Sequence, residues 1–147
     1  MNTLKLFDLS NKIAIVTGGT GLFGKPISTS LAEAGAHVII ASRNAEKCQF
    51  VAEELNRSGY KASGAFLDLS DEKGIDEFVD SIIKQHQHID ILVNNSVSRD
   101  GYKRLEKTTK EDWEKGQQIN STGLMLINKT VVQHMVPRRS GSIINIG

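Results

Sequence analysis

The 147-residue chain has the length of one ordinary domain, enough to bury a core of its own. With 39% hydrophobic and 24% charged residues it reads as a soluble globular protein rather than a disordered one. A net charge of +1 with both signs scattered excludes a basic stripe for nucleic acid and an acidic tail. No apolar run approaches the roughly 20 residues that span a bilayer. The opening MNTLKLFDLSNK lacks a signal-peptide core and the lone Cys48 can form no internal disulfide, so a cytoplasmic setting is expected. The sequons at Asn56, Asn94, Asn120 and Asn128 are accordingly expected to carry no glycan.

In chain order, KIAIVT (Lys12 to Thr17) reads as a strand buried on both faces. A helix from Leu22 to Ala34 follows, with Phe23, Ile27, Leu31 and Ala34 at helical spacing and Gly35 as a stop. AHVIIAS (Ala36 to Ser42) is the second strand, and Ala45 to Ser58 a helix with Phe50, Val51 and Leu55 on one face. A weaker strand runs through Tyr60 to Asp68. The next helix, Asp71 to Gln87, turns Ile75, Phe78, Ile82 and Ile83 inward. IDILVNN (Ile89 to Asn95) is a fourth strand, and Asp100 to Lys110 a polar loop of the kind that flanks a site. Thr109-Lys110-Glu111-Asp112 resembles a capping box opening a long helix to about Met135, and GSIINIG (Gly141 to Gly147) is a fifth strand. Alternating strands and helices imply right-handed crossovers and a parallel sheet covered on both faces.

The connection after the first strand, TGGTGLFG (Thr17 to Gly24), places four glycines at the mouth of a helix. Glycine permits the sharp turn, and the absent Cβ lets a phosphate reach main-chain N–H groups at the helix N-terminus. In this context the motif points to a dinucleotide. Eighteen residues beyond Gly24, where an acidic residue would favour NAD, stand Ser42 and Arg43. A hydroxyl and a guanidinium suit the 2′-phosphate of NADP, and NAD is the lesser alternative. A solvated surface arginine beside a turn is the plain structural reading of Arg43.

TGGTGLFG, DLS (Asp68 to Ser70), DILVNNS (Asp90 to Ser96), NSTG (Asn120 to Gly123) and GSIINIG together resemble the N-terminal half of the short-chain dehydrogenase/reductase family. The resemblance implies an α/β fold, a Rossmann-type doubly wound parallel sheet, here one NAD(P)-binding domain over 1–147 that ends after the fifth strand. It implies that Gly18, Thr20, Gly21, Phe23 and Gly24 wrap the pyrophosphate, and that Ser42 and Arg43 meet the adenosine ribose and its phosphate. Asp68 and Leu69 would contact the adenine edge, with a helix N-cap as the alternative role of Asp68. Asn94, with Ser96 beside the cofactor, would steady the central sheet and reach the nicotinamide side, although a purely structural Asn94 is also consistent. Asn120 matches the family's active-site asparagine, the one catalytic position expected in this chain.

Two departures stand out. The middle glycine is Gly21, where the commonest family pattern wants one at Leu22; that spacing is more usual among nucleotide-sugar-modifying relatives. NNSV replaces NNAG, adding the Ser96 hydroxyl and Val97. The family's acid/base motif, Tyr-x-x-x-Lys, is absent from these residues: Tyr60 is followed four places on by Gly64, and Tyr102 by Glu106. The serine that follows the fifth strand is absent too.

The expected function is therefore hydride transfer to or from a carbonyl or secondary alcohol with NADP(H), with this chain alone inactive. A non-catalytic dinucleotide-binding module or remnant, or a nucleotide-sugar-modifying relative, are the alternatives. A small-molecule substrate and homo-oligomers are implied for intact family members, with no nucleic acid, membrane or metal. His86 and His88, with His37 and His134 remote in sequence, are expected as surface histidines, Trp113 as a packing residue, and Cys48 as unreactive.

Overall fold

The computed structural model describes residues 3–99 and 102–147, residues 3 and 4 by their backbone alone. Five strands form one sheet: β1 (Ile13–Thr17), β2 (His37–Ser42), β3 (Lys61–Phe66), β4 (Ile91–Asn94) and β5 (Ser142–Asn145). Their order is β3-β2-β1-β4-β5, and every pairing is parallel. Helices α1 (Gly24–Glu33), α2 (Ala45–Arg57), α3 (Glu72–His86), α4 (Lys110–Gln117) and α5 (Leu124–Met135) connect them. This is the doubly wound α/β sheet of the Rossmann type.

The alternation of strand side chains creates two cores. Ala14 and Val16 of β1, with Val38 and Ile40 of β2, face α1 and α2, meeting Ala32, Cys48, Val51, Ala52 and Leu55. Ile13, Ile15, Ile39 and Ala41 face the other way, onto Ile75, Phe78, Val79, Ile82, Ile127 and Val131. Because both faces are covered, β1 is buried throughout and its sequence carries no polar alternation. Truncating the fully buried Ile15 to alanine would cost about 2–5 kcal/mol.

Several expectations need correction. Helix α1 starts at Gly24, not Leu22, because the glycine turn occupies the preceding residues; Phe23 is its N-cap and is exposed, outside the core. Phe50 also faces solvent, and the buried face of α2 is instead Cys48, Val51, Ala52 and Leu55. Trp113 is 63% exposed rather than packed. The capping box is present, with Thr109 Oγ1 accepting from Asp112 N and Asp112 accepting from Thr109 N. The long helix it opens is interrupted, however, by a π-helical segment, Gln118–Gly123, between α4 and α5. The loop expected over Asp100 to Lys110 contains a 3-10 turn at Leu105–Lys107, while Asp100 and Gly101 lie outside the described residues.

The histidines are not all remote. His37 on β2 and His86 at the end of α3 stack edge to face with centroids 4.6 Å apart, and His37 Nε2 lies 2.7 Å from Ser63 Oγ. No group of three or more metal-ligating side chains occurs among the described residues. No described helix is long and apolar enough to cross a membrane. Among the described residues strand β5 pairs with β4 alone, and Ile144 and Ile146 are about half exposed, as the edge position expected for the fifth strand dictates.

Candidate functional site

Strand order reverses at β1, whose neighbours β2 and β4 lead to helices on opposite faces. Beyond the carboxyl ends of these strands the connections diverge and leave a crevice, the usual ligand position in such sheets. Here it measures about 610 Å³ and is lined by the glycine turn, the end of β2, the β3–α3 connection and the residues after β4.

The turn is tightly built. Gly18 N donates to Ala41 O at 2.8 Å, fastening the turn to β2, and Gly21 N donates to Gly18 O at 3.0 Å. Gly18 has φ +62°, and a Cβ there would meet Ser96 Cα at 3.0 Å. A Cβ on Gly24 would overlap the Gly18 carbonyl oxygen. Among the described residues the N–H groups of Thr20, Leu22, Phe23 and Gly24 make no hydrogen bond within the protein. The start of α1 therefore presents unpaired donors and its positive dipole end with no side-chain cap.

Of the residues singled out from sequence, Gly18, Thr20, Gly21, Phe23, Ser42, Arg43, Asp68, Leu69 and Ser96 line this one crevice. Gly24, Asn94 and Asn120 do not. Arg43 is exposed and forms no ion pair among the described residues. The Ser42 hydroxyl is occupied locally, 3.0 Å from Cys48 Sγ and accepting from Asn44 N at 3.2 Å. Asn44 caps α2 by accepting from Lys47 N at 2.9 Å. Asp68 is not an N-cap, since Asp71 holds that position. Its carboxylate accepts from Ser70 N at 2.9 Å and Ser70 Oγ at 2.7 Å. These bonds hold its carboxyl below the usual range, and the Arg43 charge adds to the effect.

Asn94 is buried in the sheet, donating through Nδ2 to Asn128 Oδ1 at 2.7 Å and Asn145 Oδ1 at 2.9 Å. It ties β4 to both α5 and β5. Asn120 lies in the π-helical segment, where its side chain clasps the backbone of Ser98: Oδ1 accepts from Ser98 N at 2.8 Å and Nδ2 donates to Ser98 O at 3.0 Å.

Sequence reasoning missed Thr17 and Arg99. The buried Thr17 Oγ1 accepts from both Asn95 N and Ser96 N at 3.1 Å, sealing the β1–β4 switch point. Arg99 joins Val97 and Ile119 on the crevice wall. Thr17 was visible as the first letter of the glycine motif; Arg99 had no local signal.

The family model for short chain dehydrogenase matches residues 12–147. The 3-oxoacyl-[acyl-carrier-protein] reductase FabG of Aquifex aeolicus is 37% identical over 140 residues, covering 94% of this chain and 56% of that protein. A gluconate 5-dehydrogenase from Burkholderia cenocepacia, solved with NADP and tartrate, superposes with a TM-score of 0.89 at 31% identity, covering 98% of this chain and 56% of that one. An NAD+-bound xylitol dehydrogenase superposes with a TM-score of 0.87 at 26% identity, over 93% of this chain and 53% of that one. The chain belongs to the short chain dehydrogenase family, whose relatives here are named as oxidoreductases. It spans about half the length of the curated relatives it matches.

Proposed function

We propose that this chain is the cofactor-binding portion of an oxidoreductase that uses NADP(H) to interconvert a carbonyl and a secondary alcohol. The observation that carries the reading is the set of unpaired N–H groups of Thr20, Leu22 and Phe23, on residues that line the same crevice as Arg43 and Asp68. The residues present fit the dinucleotide: these donors lack protein partners, and Gly18 and Gly24 let the turn pack closely on Ser96 and on its own backbone, which holds the start of α1 in place.

When bound, the nicotinamide supplies the hydride. The chain's own groups bind and orient. Gly18, Thr20, Gly21, Phe23 and Gly24 take the pyrophosphate on the start of α1, with Leu22 on the same turn. Arg43 takes the 2′-phosphate as a charge-assisted contact, with Ser42 shaping the bend beside it. Asp68 and Leu69 meet the adenine, and Ser96 the nicotinamide side. Asn94 and Asn120 hold β4, α5 and the loop after β4 in register, which gives Asn120 a positioning role in this chain. One solved relative holds NADP and another NAD+, so the preference for NADP rests on Arg43 and on the absence of a carboxylate at the end of β2.

These 147 residues contain no Tyr-x-x-x-Lys, so they lack the hydroxyl that would exchange a proton with the substrate oxygen. We therefore assign them binding without turnover. The exposed apolar residues of α5 and beyond, Met125, Val132 and Val136, suit a subunit contact between copies. Two measurements on the purified chain test the reading together. NADPH fluorescence should saturate on titration, and steady-state oxidation of NADPH with a small ketone should stay at background. Turnover at the rate of an intact enzyme, or no NADPH binding, would overturn it.

A further inference from the structure

We infer that Arg99 is an anchor for an organic carboxylate, so that the substrate taken by this site carries an anionic group on an aliphatic body. The inference rests on the cofactor reading for its orientation, since Arg43 marks the adenosine end of the crevice. Arg99 leaves the loop after β4 and Arg43 leaves β2, with β1 between them. Two strand spacings separate these positions by ~10 Å at the sheet. Arg99 thus stands toward the end of the crevice away from the adenosine phosphate.

The loop that carries it is fixed in place. Asn95 N and Ser96 N are held by Thr17 Oγ1, Asn95 Nδ2 donates to Gly18 O at 3.1 Å, and Ser98 is clasped on both sides of its peptide by Asn120. Arg99 therefore departs from a pinned backbone, and its own carbonyl accepts from Tyr102 N at 3.1 Å. Its guanidinium has no ion pair or side-chain hydrogen bond among the described residues, though it lines the crevice. Asp68, the acidic residue lining the same crevice, lies on the β2–β3 side and feels Arg43. Beside Arg99 stand Val97, Ile119 and Ile146, an apolar wall of which Val97 is 58% and Ile146 48% exposed. A planar cationic fork next to an apolar wall suits a carboxylate at the end of an alkyl chain.

The test uses the whole 147-residue chain, 15N-labelled, titrated with hexanoate and with its neutral isostere hexanamide, each with and without NADP+. Hexanoate is expected to shift the amide resonances of Val97 to Arg99 and to bind about tenfold more tightly than hexanamide. Arg99→Gln should lower hexanoate affinity to the hexanamide level while leaving NADPH affinity unchanged, and Arg99→Lys should retain part of the preference. Equal affinity for the two probes, shifts absent from the loop, or tighter binding of inorganic phosphate than of hexanoate would overturn the inference. So would a loss of NADPH affinity in Arg99→Gln, which would assign Arg99 to the cofactor phosphates. If NADPH does not bind at all, the cofactor reading falls by itself, because the titrations without NADP+ still decide Arg99.

Discussion

Asn120 and Ser98 hold each other through a reciprocal pair of hydrogen bonds, one into and one out of the same side-chain amide. The amide accepts from Ser98 N through its oxygen and donates to Ser98 O through its nitrogen, a division of roles that an ionised carboxylate cannot reproduce. The irregular turn over Gln118–Gly123 presents that amide to the loop after β4. Asn120→Asp keeps the shape but loses the donor, so the Ser98 carbonyl loses this bond and faces a carboxylate oxygen instead. Both Asn120→Asp and Asn120→Ala should lower stability by about 1–3 kcal/mol in urea unfolding. An Asp variant as stable as the parent would show that the outgoing bond contributes nothing.

Gly24 and Gly21 differ in what surrounds them. A Cβ on Gly24 would overlap the Gly18 carbonyl, whereas one on Gly21 would stand 3.2 Å from the same oxygen. Gly24→Ala should therefore prise the turn from α1, abolishing NADPH binding and lowering the melting temperature by several degrees. Gly21→Ala should lower affinity with a smaller change in melting temperature. Equal effects from the two variants would contradict the packing described here.

Stability should fall in two stages as the medium is acidified. Burial pushes the His37 and His86 pKa values below the ordinary 6.5, and each is pushed further by a neighbour: His86 and Lys61 for His37, His88 for His86. The unfolded chain therefore binds protons that the folded chain resists. Their contribution is complete above pH 6.5 and is lost as pH falls toward the folded values. Carboxylates act lower: Asp112, bonded by Lys103 and by Thr109 N, is brought down from 3.8 to about 2. Asp90 also lies below 3.8: burial raises it, but Ile13 N, Arg138, His88 and Lys12 together outweigh that. Their contribution is present above 3.8 and disappears as pH falls through the folded values. The check is the urea midpoint from pH 8 to pH 3; His37→Gln should flatten the upper stage and leave the lower one.

Asp90 gathers the amino-terminal side of the sheet. Its nearly buried carboxylate accepts from Ile13 N at 2.9 Å and from Arg138 at 3.0 Å, and lies 3.1 Å from His88 Nε2. Asp90→Ala should cost about 2–3 kcal/mol by denaturant unfolding, because a buried N–H and a guanidinium both lose their acceptor. Arg138→Ala should cost less, since Arg138 is partly exposed and Asp90 keeps its remaining partners.

The strands were legible because a parallel sheet covered on both faces writes itself as unbroken apolar runs, as in Ile13 to Val16 and Val38 to Ala41. The glycine turn was legible because few other folds need so many glycines there. Helix faces were less so: Phe23 and Phe50 sit at apolar spacing yet point to solvent, because spacing does not say which residues the neighbouring layer covers. The break at Gln118–Gly123 leaves no mark in periodicity, and the bonds from Asn120 run to backbone atoms that have no side-chain signature. His37 and His86 meet only because β2 and the end of α3 pack together, a contact made by topology across 49 positions of sequence. Arg99 was invisible as a site residue for the same reason, since its place on the crevice depends on where β4 and the π-helical segment put the loop.

The central claim, that this crevice is a dinucleotide site tuned to NADP by Arg43, is tested most directly by one comparison. NADPH and NADH are titrated by fluorescence against the parent chain and against Arg43→Ala. The parent should bind NADPH about tenfold or more tightly than NADH, and Arg43→Ala should erase that difference by weakening NADPH alone. Equal affinities in the parent, or a preference that survives Arg43→Ala, would contradict it.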